Sequence, residues 1–175
     1  TPDKLEAYKD GNFLKGGIVF ADAVTTVSNT YADEIKTPFY GEGLDGLLRA
    51  RSNSLRGIVN GIDYNDFNPE TDINLSARYN ATTFRKEKVK NKIQLQKDLG
   101  LEQDPKAMMI GIVSRLTDQK GFDLIAYIMD ELCQDSVQIV ALGTGDERYE
   151  NMFRHFDWKY HGKVSAPVAY THLRA

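Results

Sequence analysis

Arg115 and Lys120 lie five residues apart in the run Ser114-Arg115-Leu116-Thr117-Asp118-Gln119-Lys120-Gly121, and they are the strongest candidates for chemistry in this chain. A guanidinium offers a planar fork of donors and an ammonium a point charge, so such a pair can grip one phosphate from two sides. The run contains neither G-x-G-x-x-G nor G-x-x-x-x-G-K-[ST], which excludes a dinucleotide fingerprint and a P-loop. A phosphate here would be held by side chains. The plain alternative is a solvated basic loop, since most surface Arg and Lys do nothing chemical. The elements that must position the loop bear on that choice.

Met108 to Val113 is a short apolar run of the kind expected for a strand buried on both faces. The cationic loop follows at once, and beyond Gly121 the residues Leu124, Ile125, Ile128 and Leu132 recur at helical spacing. Val137 to Leu142 reads as a second strand, parallel to the first across a helix over 121–134. It ends in Gly143-Thr144-Gly145-Asp146, a glycine-rich turn at the same sheet edge as Arg115. Ligands of open parallel sheets bind beyond the carboxyl ends of the strands, and two such corners at one edge favour a ligand site over a bland loop. Glu147 to Phe156 reads as a further helix and Lys163 to Ser165 as the start of a third strand.

Upstream, residues 1 to 11 are polar and read as loop. Phe13, Leu14, Ile18 and Ala21 share a helical face, although the pair Gly16-Gly17 costs that helix about 1 kcal/mol per glycine and implies close approach by a neighbouring backbone. Ala23 to Val27 reads as a strand, and Ser28 or Asn29 caps a helix carrying Tyr31 and Ile35. Leu44, Leu47 and Leu48 mark a short amphipathic helix ending near Ser52, and Leu55 to Val59 a short strand. Asn60-Gly61 reads as a tight turn because both residues tolerate positive φ. A polar stretch leads from Asp63 to a helix over 83–99, with Val89, Ile93 and Gln96 at helical spacing and Gly100 as its stop.

The composition is that of a globular protein, with 175 residues, 41% hydrophobic and 27% charged. A net charge of −3 without a long run of like charges disfavours nucleic acid or an anionic membrane as partner. No apolar run approaches the ~20 residues that span a bilayer, and the opening residues do not form a signal peptide. Cys133, the only cysteine, cannot form an internal disulfide and reads as a small apolar core residue in a reducing compartment. His155, His161 and His172 have no metal-ligand spacing.

Several separate stretches, in order, resemble the bacterial glycogen synthases and plant starch synthases. They are Phe13 to Gly17, Thr26 to Ile35, Tyr40-Gly41 with Leu44 to Leu48, Asn60 to Asp63, Asn68 to Asp72, and Ser114 to Gly121. The resemblance runs over about residues 12 to 165. It implies an α/β fold, part of a two-domain glycosyltransferase with two facing Rossmann-like domains (GT-B type). It also implies transfer of glucose from ADP-glucose to the 4-hydroxyl end of an α-1,4-glucan with retention of configuration, with no cofactor and no metal.

By that resemblance Arg115 and Lys120 are catalytic and hold the distal donor phosphate, with Ser114, Gly143, Thr144 and Gly145 beside them in the nucleotide site and Asn60 at the donor sugar. A cytoplasmic enzyme follows for a bacterial protein, and a plastid one for a plant homologue. A related transferase using a UDP- or GDP-sugar, and a non-catalytic truncated piece, are the rival readings.

The expected organisation is 1–67 as the end of the acceptor-side domain, 68–105 as an interdomain connection with one helix, and 106–165 as the start of the nucleotide-sugar domain. Residues 166–175 do not resemble the family's continuation, and with the missing initial Met they point to a piece of a longer protein. Two partial layers of roughly 60 to 70 residues each bury too little surface to be robust. Met108 to Val113 and Val137 to Leu142 are expected to be sticky sheet edges. The 175-residue chain alone should therefore melt broadly and transfer no glucose from ADP-glucose to glycogen; a sharp calorimetric transition together with measurable transfer would contradict this.

Overall fold

The computed structural model describes residues 4–7 and 10–167. The chain divides into two compact units, Thr1–Asp63 and Tyr64–Ala175. In the first, β1 (Glu6–Ala7) and β2 (Asp10–Gly11) form a small antiparallel pair, so the polar opening is not wholly loop. Helix α1 (Phe13–Phe20) is capped by Asn12, whose side chain accepts from the Lys15 amide at 2.8 Å. A Cβ on Gly16 would strike the Leu5 side chain, whereas Gly17 has open space. The close approach expected at this pair is thus made by a side chain, and at Gly16 alone.

Strand β3 (Val24–Thr26) pairs in parallel with β4 (Leu55–Gly57), with Val24 opposite Leu55. Between them run α2 (Asn29–Glu34), α3 (Pro38–Gly41) and α4 (Asp45–Ala50). Ser28 is the cap of α2, accepting from the Tyr31 amide at 2.9 Å. Ile18, Ala32, Ile35, Leu48 and Leu55 form the core of this unit. Phe13 and Leu14, assigned to the same apolar face as Ile18, are instead exposed.

The second unit opens with a turn-rich segment and α5 (Phe84–Asp98), then alternates strand and helix: β5 (Met108–Val113), α6 (Phe122–Leu132), β6 (Val137–Leu142), α7 (Glu147–Lys159) and β7 (Val164–Ser165). The strands are parallel in the order β5-β6-β7. Apolar positions of α6 and α7 meet those of the sheet. Phe122, Phe153 and Tyr149 pack with Leu116 and Ala141, while Met129, Cys133 and Phe156 pack with Ile139 and Val164. Burial raises the pKa of the Cys133 thiol, as suits a core residue.

Two expectations about the strands fail. Strand β6 is central, paired on both sides, and is not an open edge. Strand β5 is not buried on both faces, since Met108 and Val113 are 64% and 71% exposed. Ile110 and Ile112 pack into the core, but across the other face α5 leaves a cavity of about 580 Å³ lined by Val89, Leu95, Met109, Gly111 and Val140 among others. An edge strand with one covered face has the same apolar composition as a doubly buried one. The tail 168–175, with His172, lies outside the described residues.

Residues 68–105 are tied into the second unit by polar side chains. Asn91 clamps the backbone of Ala77, accepting from its N–H at 2.9 Å and donating to its carbonyl at 2.7 Å. Lys92 Nζ donates to the carbonyls of Pro105 and Ala107. Gln96, fully buried, donates through Nε2 to Gln138 Oε1 at 2.6 Å and to the Asp104 carbonyl at 2.8 Å, and Gln138 donates to the Glu102 carbonyl at 2.6 Å. A buried amide that loses its partner keeps its desolvation cost, about 1–3 kcal/mol. Gln96→Leu or Gln138→Leu should each lower stability by about that amount, and the double variant by less than the sum. Urea unfolding checks this, and single variants as stable as the parent would refute it.

Candidate functional site

The site is built on the seam between two corners at the carboxyl ends of β5 and β6. The Ser114 amide continues the ladder to the Leu142 carbonyl at 3.2 Å, the Leu116 amide donates to Thr144 O at 2.9 Å, and the Asp146 amide returns to Leu116 O at 2.8 Å. Leu116 is 1% exposed and anchors the loop in the core. A Cβ on Gly143 would collide with the Ser114 carbonyl, and one on Gly145 with the backbone of Leu116. The two glycines therefore let one backbone lie directly against another. Ser114, Arg115, Gly143, Thr144 and Gly145 are brought together by this seam.

Past Leu116 a 3-10 turn (Asp118–Lys120) closes on Gly121, whose φ of 71° is left-handed. That conformation strains any residue with a Cβ, so the turn from loop into α6 depends on glycine at this point. Arg115 and Lys120 thus stand on either side of a buried anchor, both exposed. Neither cation forms an ion pair or side-chain hydrogen bond with another described residue. Lys120 leads directly into the N-terminal turn of α6, where the helix dipole adds positive potential.

Two acidic groups nearby, Asp118 and Glu150, are engaged. Asp118 forms an ion pair with Arg148 and accepts from the Tyr149 hydroxyl at 2.5 Å. Glu150 accepts from the Gly145 amide at 3.0 Å and from Arg154 at 2.8 Å. The hydrogen bond from the Gly145 backbone, with Arg154 behind it, holds the Glu150 carboxyl below the usual glutamate range. Hence the Gly145 N–H is already donated within the protein, whereas Arg115 and Lys120 have no side-chain partner among the described residues. Sequence reasoning missed Asp118, Tyr149 and Glu150; the spacing of Tyr149, Phe153 and Phe156 was a helix-face signal that sets Tyr149 at the start of α7, beside the loop.

Asn60 lies in the first unit beyond β4 and is exposed. Neither Asn60 nor Gly61 adopts positive φ, so the tight turn expected there is not formed. The chain continues without a hairpin because β4 pairs in parallel with β3 and has no antiparallel partner to return to.

Parallel α/β units with a cationic loop at a strand's carboxyl end define the class, a Rossmann-like portion of a GT-B fold. The chain is homologous to the glycogen and starch synthases. It is 70% identical to the glycogen synthase of Lachnospira eligens and 61% to that of Lachnoclostridium phytofermentans, over 98% of this chain and 36% of each relative. Residues 1–50 match the family model of the starch synthase catalytic domain. The catalytic domain of starch synthase IV from Arabidopsis thaliana, solved bound to ADP and acarbose, superposes with a TM-score of 0.87 at 35% identity, covering 97% of this chain and 36% of that one. The chain thus spans about a third of the length of the relatives it matches. No helix among the described residues is long and apolar enough to cross a membrane.

The Glu150 contact makes the seam acid-sensitive. Its carboxyl is depressed in the fold, so its contribution is present above the ordinary glutamate range and is lost as pH falls through the lower folded value. The Gly145 amide resonance should shift along that acid titration and should stop doing so in Glu150→Gln. An identical titration in the variant would exclude Glu150 as the partner that matters.

Proposed function

We propose that this chain is part of a retaining glucosyltransferase that moves glucose from ADP-glucose to the 4-hydroxyl end of an α-1,4-glucan. The observation that carries this reading is its 70% identity, over 98% of its length, to a glycogen synthase. The ADP in the starch synthase IV structure supports an adenine nucleotide donor, and the homologues do not favour a UDP- or GDP-sugar transferase acting on another acceptor. The bacterial relatives support a cytoplasmic location.

The chemistry assigned to the site follows from charge. Transfer breaks the bond between the glucose anomeric carbon and the distal phosphate oxygen, leaving negative charge on ADP, and forms one from that carbon to the acceptor hydroxyl oxygen, whose proton passes to the departing phosphate or to water. Arg115 and Lys120, exposed and without an ion pair or side-chain hydrogen bond among the described residues, are the groups proposed to receive that phosphate. Fixed donors aimed at developing charge lower the barrier because they need no reorganisation, and here two cations take the part that a metal plays elsewhere. Ser114, Gly143, Thr144 and Gly145 complete the nucleotide side through the seam. Asn60 is assigned to the donor sugar on the family resemblance.

In a full-length protein carrying this chain, Arg115→Ala or Lys120→Ala should lower turnover by ~10²–10³, the scale for removing one stabiliser of leaving charge. Steady-state transfer from ADP-glucose to glycogen measures it, with UDP-glucose as competing donor. Parental turnover in both variants would sink the assignment.

A further inference from the structure

The loop that carries Arg115 and Lys120 also carries a carboxylate, Asp118, inside the turn that presents Lys120. An anionic side chain beside a phosphate site is a liability by charge alone, since it repels the guest and competes for the cations. The fold ties it elsewhere. Asp118 pairs with Arg148 and accepts from the Tyr149 hydroxyl at 2.5 Å, both on the first turn of α7. The two ends of this clasp differ in rigidity. Asp118 is exposed, whereas Tyr149 is 5% exposed, with its ring 5.4 Å from that of Phe122 in the core and the Arg148 guanidinium 4.6 Å from its own centre.

We propose that Tyr149 and Asp118 are positioning residues of the donor-phosphate loop: the core-anchored hydroxyl fixes Asp118, and through it the turn that holds Lys120 toward the phosphate. This rests on the assignment of Arg115 and Lys120 to the donor. The chain supplies its own control. Helix α7 bears a second clasp at its other end, where the Tyr160 hydroxyl donates to Asp130 at 2.7 Å beside Lys159, away from the loop. Tyr160→Phe removes the same kind of bond, there between α6 and the residue that ends α7, without touching the loop.

Clasp and simple charge predict opposite signs at Asp118. If the carboxylate only repels the donor, Asp118→Ala tightens ADP; if it positions the turn, Asp118→Ala weakens ADP despite the lost negative charge. The test is ADP affinity by calorimetry, with melting temperature alongside, in a full-length protein carrying this chain. Asp118→Ala and Tyr149→Phe should each weaken ADP roughly tenfold, the worth of one hydrogen bond to a charged group. Tyr160→Phe should leave ADP affinity unchanged. Asp118 is exposed, so that variant retains the core whatever Tyr149→Phe does to folding. Tighter or unchanged ADP binding in Asp118→Ala, or equal weakening in Tyr149→Phe and Tyr160→Phe, overturns the proposal. Arg115→Ala and Lys120→Ala run in parallel: if both bind ADP as the parent does, the donor assignment itself has failed, whereas weakening there without weakening in Asp118→Ala rejects the clasp alone.

Discussion

The second unit depends on one backbone-to-backbone seam, in which residues 114–116 lie against residues 143–145 with no side chain between them. Hydrogen bonds at Leu116 and Asp146 stitch it, and the missing Cβ atoms of Gly143 and Gly145 make room for it. The seam extends the β5–β6 ladder past the strands and fixes the first residues of the cationic loop, 114 to 116. Leu116, driven into the core with Phe122 and Phe153, supplies the apolar free energy, ~1.5–3 kcal/mol for burying one such side chain. A loop of free backbone would have to order its cations at the moment of binding, and a sutured one has met that entropy cost in folding.

Two carboxylates beside the seam are each given donors of their own. Asp118 has Tyr149 and Arg148, and Glu150 has the Gly145 amide and Arg154. The loop's charged side chains without an ion pair among the described residues, Arg115 and Lys120, are positive, although the whole chain carries a net charge of −3. A local surplus of this kind suits a small anionic ligand better than a polyanion, whose many phosphates call for an extended basic face. The surface pairs here are individually weak in water. Their consequence is geometric, since they settle which side chains are free.

Polar clamps play a comparable part further up the chain. Gln138 on β6 fastens residues 77–107 to the sheet through Gln96 and the Glu102 carbonyl, while Asn91 and Lys92 bind backbone groups within that stretch. A helix such as α5, mostly charged and with little apolar stripe, gains less from burial than α6, and the Gln96–Gln138 bond ties it to β6.

Local signals in the sequence were enough for α6, β5, β6, α7, the caps at Ser28 and Gly100, and the pairing of a cationic loop with a glycine turn at one sheet edge. Each of these depends on neighbours in the chain: periodicity, a capping hydroxyl, a glycine where φ is positive. The homology to glycogen synthases was legible for the same reason, in motifs each confined to a few residues. What only the tertiary structure decided is which side chains meet. An apolar run such as Met108 to Val113 carries no mark of how many faces are covered, and Asn60-Gly61 turns only where an antiparallel partner awaits. Tyr149 reads as one more apolar position of a helix until the fold sets its hydroxyl against Asp118, thirty-one residues away. Periodicity determines faces; the pairing of polar atoms across such separations is determined by the packed core that brings them within hydrogen-bonding distance.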